Sequence, residues 1–192
     1  MGWIFYNAKN YLPNGKVDKK AECRELFKNG YTVLKDSIIN NVWYAAVREE
    51  NSGNVFAAVV LTKDGDGDYN FGYKGMDETA GPVEYDCPKS ILRELSETDS
   101  FLANDWRIRC WKKIEKKETK EKYRGLPVYT RIRINYNGKE TEVVKLPPVE
   151  GVCYRNGKPF KHPWYFVPAT KTYLHKKDLP NDFEVIGTIR ED

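Results

Sequence analysis

The run Val128-Tyr-Thr-Arg-Ile-Arg-Ile-Asn-Tyr136, the pair Asn137-Gly138 and the run Lys139-Glu-Thr-Glu-Val-Val-Lys-Leu146 leave the backbone little choice. Strict alternation of apolar and polar residues has the two-residue period of a strand. Asn-Gly is the pair that most readily places two successive residues at positive φ, as a two-residue hairpin turn demands. The spacing predicts an antiparallel hairpin over residues 128–146, with Ile132 and Ile134 on the buried face. Arg131 and Arg133, with Tyr129, fall on the other. A second Asn-Gly in Tyr154-Arg-Asn-Gly-Lys-Pro159 and the short runs Trp164–Val167 and Lys171–Leu174 extend the pattern to a small SH3-like or partly open β-barrel. The change of character at Gly125 marks a boundary. Residues 1–124 are expected to form an α+β domain ending in a long basic helix, and residues 125–192 a small β-rich domain.

Upstream, Trp3-Ile-Phe-Tyr reads as a short aromatic strand, and Asp18 as the cap of a helix reaching about Lys28, with Cys23, Leu26 and Phe27 buried. Tyr31–Leu34, Ser37–Ile39 and Val42–Val47 make one or two further strands. Val55-Phe-Ala-Ala-Val-Val-Leu-Thr62 is too apolar for anything but a central strand. Together these predict an antiparallel meander with helices against one face. Ser96-Glu-Thr-Asp-Ser-Phe opens another helix capped by Thr98 or Asp99, with Leu102, Trp106, Cys110 and Ile114 as its apolar stripe. The nearly all-charged Glu115–Arg124 is expected to fray or project.

Between strand and helix lies the unusual stretch Asn70-Phe-Gly-Tyr-Lys-Gly-Met-Asp-Glu-Thr-Ala-Gly-Pro-Val-Glu-Tyr-Asp-Cys-Pro-Lys-Ser-Ile-Leu92. A plain connector does with small polar residues. Two readings stand side by side. In one, the stretch is a structured crossover whose aromatics cover the core and whose carboxylates cap backbone amides. In the other, Phe71, Tyr73, Lys74, Asp77, Glu78, Glu84 and Asp86 bind a protein partner. Asp86 or Cys87 stands at a cap position before Pro88, where a helix N-terminus would favour a thiolate, so Cys87 with His162 and Asp86 is a candidate nucleophile and base.

The rest of the catalytic inventory is thin. No phosphate loop, dinucleotide fingerprint, zinc-protease or serine-elbow motif is present. Asp77 and Glu78 are adjacent and so face opposite ways on an extended segment. Asp64-Gly-Asp-Gly-Asp68 opens like a calcium loop, but Tyr69 replaces the required glycine and Gly75 the closing glutamate. Binding rather than turnover is expected, with no cofactor or metal.

Charge adds a second candidate surface. The formal net charge is +4, yet residues 1–106 carry 12 Lys/Arg against 17 Asp/Glu, and residues 107–177 carry 19 against 6. Such segregation suits a face turned to a polyanion. Lys112, Lys113, Lys116, Lys117, Arg131, Arg133, Lys161, Trp164 and Tyr165 are the candidates for phosphate contact and base stacking. The plain alternative makes the aromatics barrel core and the cations a solvated rim. Cys23, Cys87, Cys110 and Cys153 stand far apart, which points to reduced thiols rather than a disulfide framework or zinc ribbon. No apolar run reaches a membrane span, and the opening residues lack a signal peptide's pattern.

Gly2-Trp-Ile-Phe-Tyr-Asn-Ala, Trp43-Tyr-Ala-Ala-Val, Asn70–Pro82, Tyr85–Leu92, Trp164-Tyr and Leu179-Pro-Asn-Asp-Phe resemble a family of uncharacterised proteins of bacterial phages and conjugative elements. The chain is also similar to anti-CRISPR inhibitors of Cas9. The resemblance implies a cytoplasmic protein of the bacterial host that inhibits a defence nuclease such as Cas9 with its guide RNA. The alternative is a nucleic-acid-binding accessory protein of phage or plasmid replication. The net basic charge departs from the acidic DNA mimics common among such inhibitors.

Overall fold

The computed structural model describes residues 2–77, 81–147, 154–155, 158–159, 164–175 and 178–189. The fold is α+β, built on two five-stranded antiparallel sheets. The chain divides into two compact units, Met1–Ile114 and Glu115–Asp192.

The first unit contains β1 (Ile4–Tyr6), α1 (Lys19–Glu25), β2 (Tyr31–Ile39), β3 (Val42–Glu49), β4 (Val55–Asp64), β5 (Phe71–Asp77), α2 (Lys89–Leu92) and the start of α3 (Phe101–Gly125). Its sheet runs β1-β5-β4-β3-β2. Two asparagines, Asn40 at φ 52° and Asn41 at φ 61°, supply the left-handed pair that joins β2 to β3 directly. A bulge lies between Val33 and Lys35 on the edge strand β2.

The helices do not lie against one face, as the meander reading expected, but against both. Trp43, Ala45, Val47, Ala58, Val60 and Phe71 pack with Cys23 of α1 on one side. Val42, Tyr44, Ala46, Ala57 and Val59 pack with Cys87, Ile91, Leu92, Trp106 and Cys110 on the other. The cause is in β3 and β4, where both alternating sets are apolar, so neither face can be left to water.

Local signals set the helix ends, with corrections. The Asp18 side chain accepts from the Lys20 and Ala21 amides at 3.1 and 3.0 Å, as a cap should. The helix stops at Glu25, however, and Leu26 is exposed while Glu22 is buried. For α3 the cap is Ser100, whose Oγ accepts from the Ala103 amide at 3.3 Å, rather than Thr98 or Asp99. The buried stripe accordingly starts at Ala103, and Leu102 is exposed. The charged end of α3 stays helical to Gly125, with Thr119 and Tyr123 buried.

In the second unit β6 (Thr130–Tyr136), β7 (Lys139–Lys145), β10 (Trp164–Val167), β11 (Thr172–His175) and β12 (Phe183–Thr188) form a sheet of order β11-β10-β7-β6-β12. Its edge strands β11 and β12 do not pair among the described residues, so the sheet is open. β8 (Tyr154–Arg155) pairs with β9 (Lys158–Pro159), and the Asn-Gly between them lies outside the described residues. Asn137 and Gly138 have φ of 52° and 78°, Tyr136 stands opposite Lys139, and Ile132 and Ile134 are buried. Tyr129 precedes the strand at φ 64° rather than extending it.

Lys145 closes this core from within. Its buried ammonium donates to the Tyr123 and Arg124 carbonyls at 3.2 and 3.0 Å and to the Leu126 carbonyl. These are orphan acceptors at the negative end of α3.

Candidate functional site

The stretch 70–92 is divided between the two faces of the first sheet. Phe71 is completely buried, which removes it from any partner-binding set. It stacks on Tyr73 at 6.5 Å and meets Tyr6 edge-on at 5.4 Å. Tyr73 belongs with Phe71 to the α1 face, and Asp77, two positions beyond Gly75, follows the same parity. Lys74 takes the opposite parity, on the face that carries Met76. Glu78 lies outside the described residues.

Glu84 and Asp86 belong to the crossover beneath α3. The Glu84 carbonyl accepts from Trp106 Nε1 at 3.0 Å. The Asp86 amide donates to the Tyr44 hydroxyl at 3.3 Å, and its carboxylate pairs with Lys113 at 2.7 Å. The described candidates therefore do not share one surface: Phe71, Tyr73 and Asp77 take one face of the sheet and Lys74 the other, while Glu84 and Asp86 lie in the segment after Gly81, where the Asp86 carboxylate pairs with Lys113 rather than capping a backbone amide.

Tyr73 and Asp77 do share a site with residues that the sequence did not single out. α1 has only seven residues and leaves part of its sheet face open. The opening is a groove of about 410 Å³ lined by Leu26, Phe27, Tyr31, Phe56, Ala58, Val60, Tyr73, Gly75, Met76 and Asp77. Cross-strand register sets its floor: Gly75 stands beside Val60, and Asp77 beside Ala58. Small side chains make the depth, and rings make the walls. Phe27 stacks on Trp43 at 5.6 Å and meets Tyr31 edge-on at 6.0 Å. Tyr31 in turn meets Phe56 edge-on at 5.8 Å. Tyr73 is steadied by Tyr6 at 6.2 Å.

Tyr6 is itself anchored by Glu22. This buried carboxylate accepts from the Tyr6 hydroxyl at 2.5 Å, from the Lys9 and Asn10 amides at 2.6 Å each, and from Asn10 Nδ2 at 3.0 Å. Burial alone would raise its pKa, but the hydrogen bonds from Tyr6, Asn10 and Lys9 outweigh that and hold it below the ordinary carboxylate value. Behind α1, the half-buried Asp36 is fixed by Arg24, Trp43 Nε1 and Lys20. The aromatic walls thus rest on a scaffold of satisfied polar groups.

Chemically, the groove offers apolar surface, ring faces and one carboxylate. It carries no histidine, cysteine or serine. A second depression of about 700 Å³ at the start of α3, lined by Asn54, Glu97, Thr98, Asp99, Asn104 and Arg107, is wholly polar. Its Asn104 and Arg107 side chains already donate to the Thr98 and Ser96 carbonyls, at 2.8 and 2.5 Å.

The polyanion set fares differently residue by residue. Arg131 forks onto Glu142 at 2.7 and 2.9 Å, and Arg133 bridges Glu140 at 2.6 Å and Glu184 at 2.9 Å. Both arginines face outward as expected, but three carboxylates already meet them. Tyr165 is buried in the second core with its hydroxyl donating to the Tyr123 carbonyl at 3.2 Å, so it cannot stack on a base. Lys161 and the Trp164 side chain lie outside the described residues. Lys112, Lys116 and Lys117 are exposed on α3 alongside Glu115 and Glu118, and Lys113 pairs with Asp86.

Cys87 does not stand open at a helix start. It is 1% exposed, two residues before a four-residue helix, and packs in the first core, where a nucleophile has no access. His162 lies outside the described residues. Among the described residues no group of three or more His, Cys, Asp or Glu side chains is arranged to hold a metal ion, and no helix is long and apolar enough to cross a membrane. No family model matches the chain, and no curated protein or solved structure matches it either.

Proposed function

We propose that this protein works by binding a protein partner in the groove of its first unit. The observation that carries this reading is the groove itself, an open aromatic-walled depression whose lining lacks a nucleophile or base set. Its volume and apolar lining match what recognition sites use, and aromatic anchors dominate binding energy where they are desolvated. The resemblance to proteins of phages and conjugative elements makes a bacterial defence nuclease, Cas9 with its guide RNA, the first partner to test. Carboxylates at Arg131 and Arg133 and the burial of Tyr165 weigh against the alternative, a nucleic-acid-binding accessory protein. The exposed lysines of α3 are what remains in its favour.

The test is binding of the purified protein to the Cas9–guide complex and to duplex DNA alone at two salt concentrations. The expected result is a complex with the nuclease that persists at moderate salt, reduces cleavage and is lost in Ala58→Leu, which fills the groove floor. DNA alone should bind weakly, with a log–log salt slope near −0.9 per phosphate neutralised. Tight DNA binding with no nuclease complex would replace this reading with the alternative. Failure to bind the nuclease complex or to reduce its cleavage would remove that nuclease as the partner.

A further inference from the structure

The outer side of α3 is a second surface, independent of the groove. We propose that it joins two copies of this chain, with α3 packed antiparallel on the α3 of a second copy about a two-fold axis between Asp105 and Ile108. The residues concerned all lie in the first unit. On its inner side α3 is already satisfied, since Ala103, Trp106 and Cys110 are buried. Its outer side is apolar as well. Phe101, Ile108 and Trp111, at i, i+7 and i+10, fall within about 80° of one another at 3.6 residues per turn. They are 80%, 51% and 36% exposed. Single apolar residues on a surface need no partner, but a row of them along one helix face marks a side that is to be covered.

Charge along the same stretch says what covers it. Residues 97–105 contain Glu97, Asp99 and Asp105 and no Lys or Arg, a balance of −3. Residues 106–114 contain Arg107, Arg109, Lys112 and Lys113 and no Asp or Glu, a balance of +4. A parallel pair would set like charge on like. A two-fold axis turns the acidic half of each copy onto the basic half of the other, so the face is its own complement. Part of this charge is engaged within the chain: Arg107 donates to the Ser96 carbonyl, and Lys113 pairs with Asp86. Asp105 and Arg109 pair with each other at 2.7 Å, with side chains 42% and 55% exposed. A carboxylate with two oxygens and a guanidinium with five N–H groups can each take a further neighbour, so the contact adds to that pair and leaves it in place.

The register follows from the axis. Asp105 stands level with Ile108 of the second copy, Asn104 with Arg109, and Phe101 with Lys112. Phe101 then covers the Lys112 stem beside the Trp111 ring, which already has the Lys89 ammonium 6.0 Å from its centre. The two Ile108 side chains flank the axis. Along one rim, Asp105 and Arg109 of both copies form a ring of four alternating charges.

The experiment is sedimentation equilibrium of the full chain from about 5 to about 500 μM, where a contact of this size is measurable. The expected result is a reversible monomer–dimer equilibrium. Ile108→Glu, a change at an exposed site, should raise the dissociation constant at least about thirtyfold, because each copy loses an apolar contact and buries a carboxylate. Two further variants test the geometry. In a dimer of Asp105→Lys the rim holds four cations, and in a dimer of Arg109→Glu it holds four carboxylates. Each alone should dimerise about tenfold more weakly, while an equal mixture sets two cations on two carboxylates and should return to within about threefold of wild type. A chain that stays monomeric throughout overturns the proposal. So does a dimer that Ile108→Glu leaves unchanged, which would place the contact elsewhere, or a mixture no stronger than either variant alone. Phosphatidylglycerol vesicles are the control for a lipid occupant: a monomer that binds them and loses that binding in Ile108→Glu would give the row to a membrane surface and refute the dimer.

Discussion

Replacing Glu22 tests how the groove is held open. One of its oxygens, Oε1, accepts from the Lys9 amide, the Asn10 amide and Asn10 Nδ2, and the other, Oε2, accepts from the Tyr6 hydroxyl. Glu22→Ala would leave two backbone amides and a phenol in a buried site without an acceptor. Each such orphan costs about 1–3 kcal/mol, and water entering the vacated space recovers part of it, so the expected loss is about 3–5 kcal/mol. Glu22→Gln keeps an oxygen for the three nitrogen donors and offers an amide that the rotated Tyr6 hydroxyl can accept from. Only charge assistance disappears, and the expected loss is about 1–2 kcal/mol.

The same pair of variants carries a pH signature. The folded-state pKa of Glu22 is lowered, so its contribution is fully present above the unfolded value, near 4.3, and is lost as pH falls through the folded value. Asp36, also lowered against the opposing effect of burial by Arg24, Trp43 and Lys20, adds a loss of the same sign. Urea unfolding followed by hydrogen exchange of the β3 and β4 amides, at pH 7 and below pH 4, isolates the first unit. Wild type should lose more stability on acidification than Glu22→Gln, the difference being the Glu22 share. An alanine variant within 1 kcal/mol of wild type, or a glutamine variant with the full acid loss, would show that this carboxylate does not hold the Tyr6–Tyr73 wall.

Lys145→Met should destabilise the second unit by about 3 kcal/mol, because three carbonyls at the end of α3 lose a charged donor inside a packed core. Exchange of the β6 and β7 amides reads this, and unchanged protection would mean that solvent satisfies those carbonyls instead. In a Cys153→Ser background, Ellman's reagent should find no reactive thiol until urea is added, since Cys23, Cys87 and Cys110 are buried thiols outside any disulfide and burial pushes the Cys23 thiol up to about 12. Rapid native labelling of Cys87 would reopen the nucleophile hypothesis.

The parts of this molecule that could be read from the chain are those whose physics is local. Asn137-Gly138 demands positive φ at both central positions, and the alternation on either side puts Ile132 and Ile134 inside and the arginines outside without reference to anything else. Asp18 caps α1 because its carboxylate reaches amides two and three residues on. The apolar run Val55–Leu61 of β4 marks a central strand, and the apolar residues at both alternating sets of β3 and β4 also carry the signal of a sheet covered on both faces.

Tertiary structure decided the rest. The groove draws on the segment just after α1 and on β2, β4 and β5, and its depth comes from the small residues Ala58, Val60 and Gly75 between the rings. No window of sequence contains that coincidence. Likewise Arg133 meets Glu140 across one turn but Glu184 only because β12 returns to β6, and the charge that looked available for phosphate is compensated by strands far apart in the chain. Helix caps and turns are set by torsions and hydrogen bonds spanning a few residues. Cavities and compensated charges are set by which distant surfaces meet, and that is decided by the burial of the whole sheet.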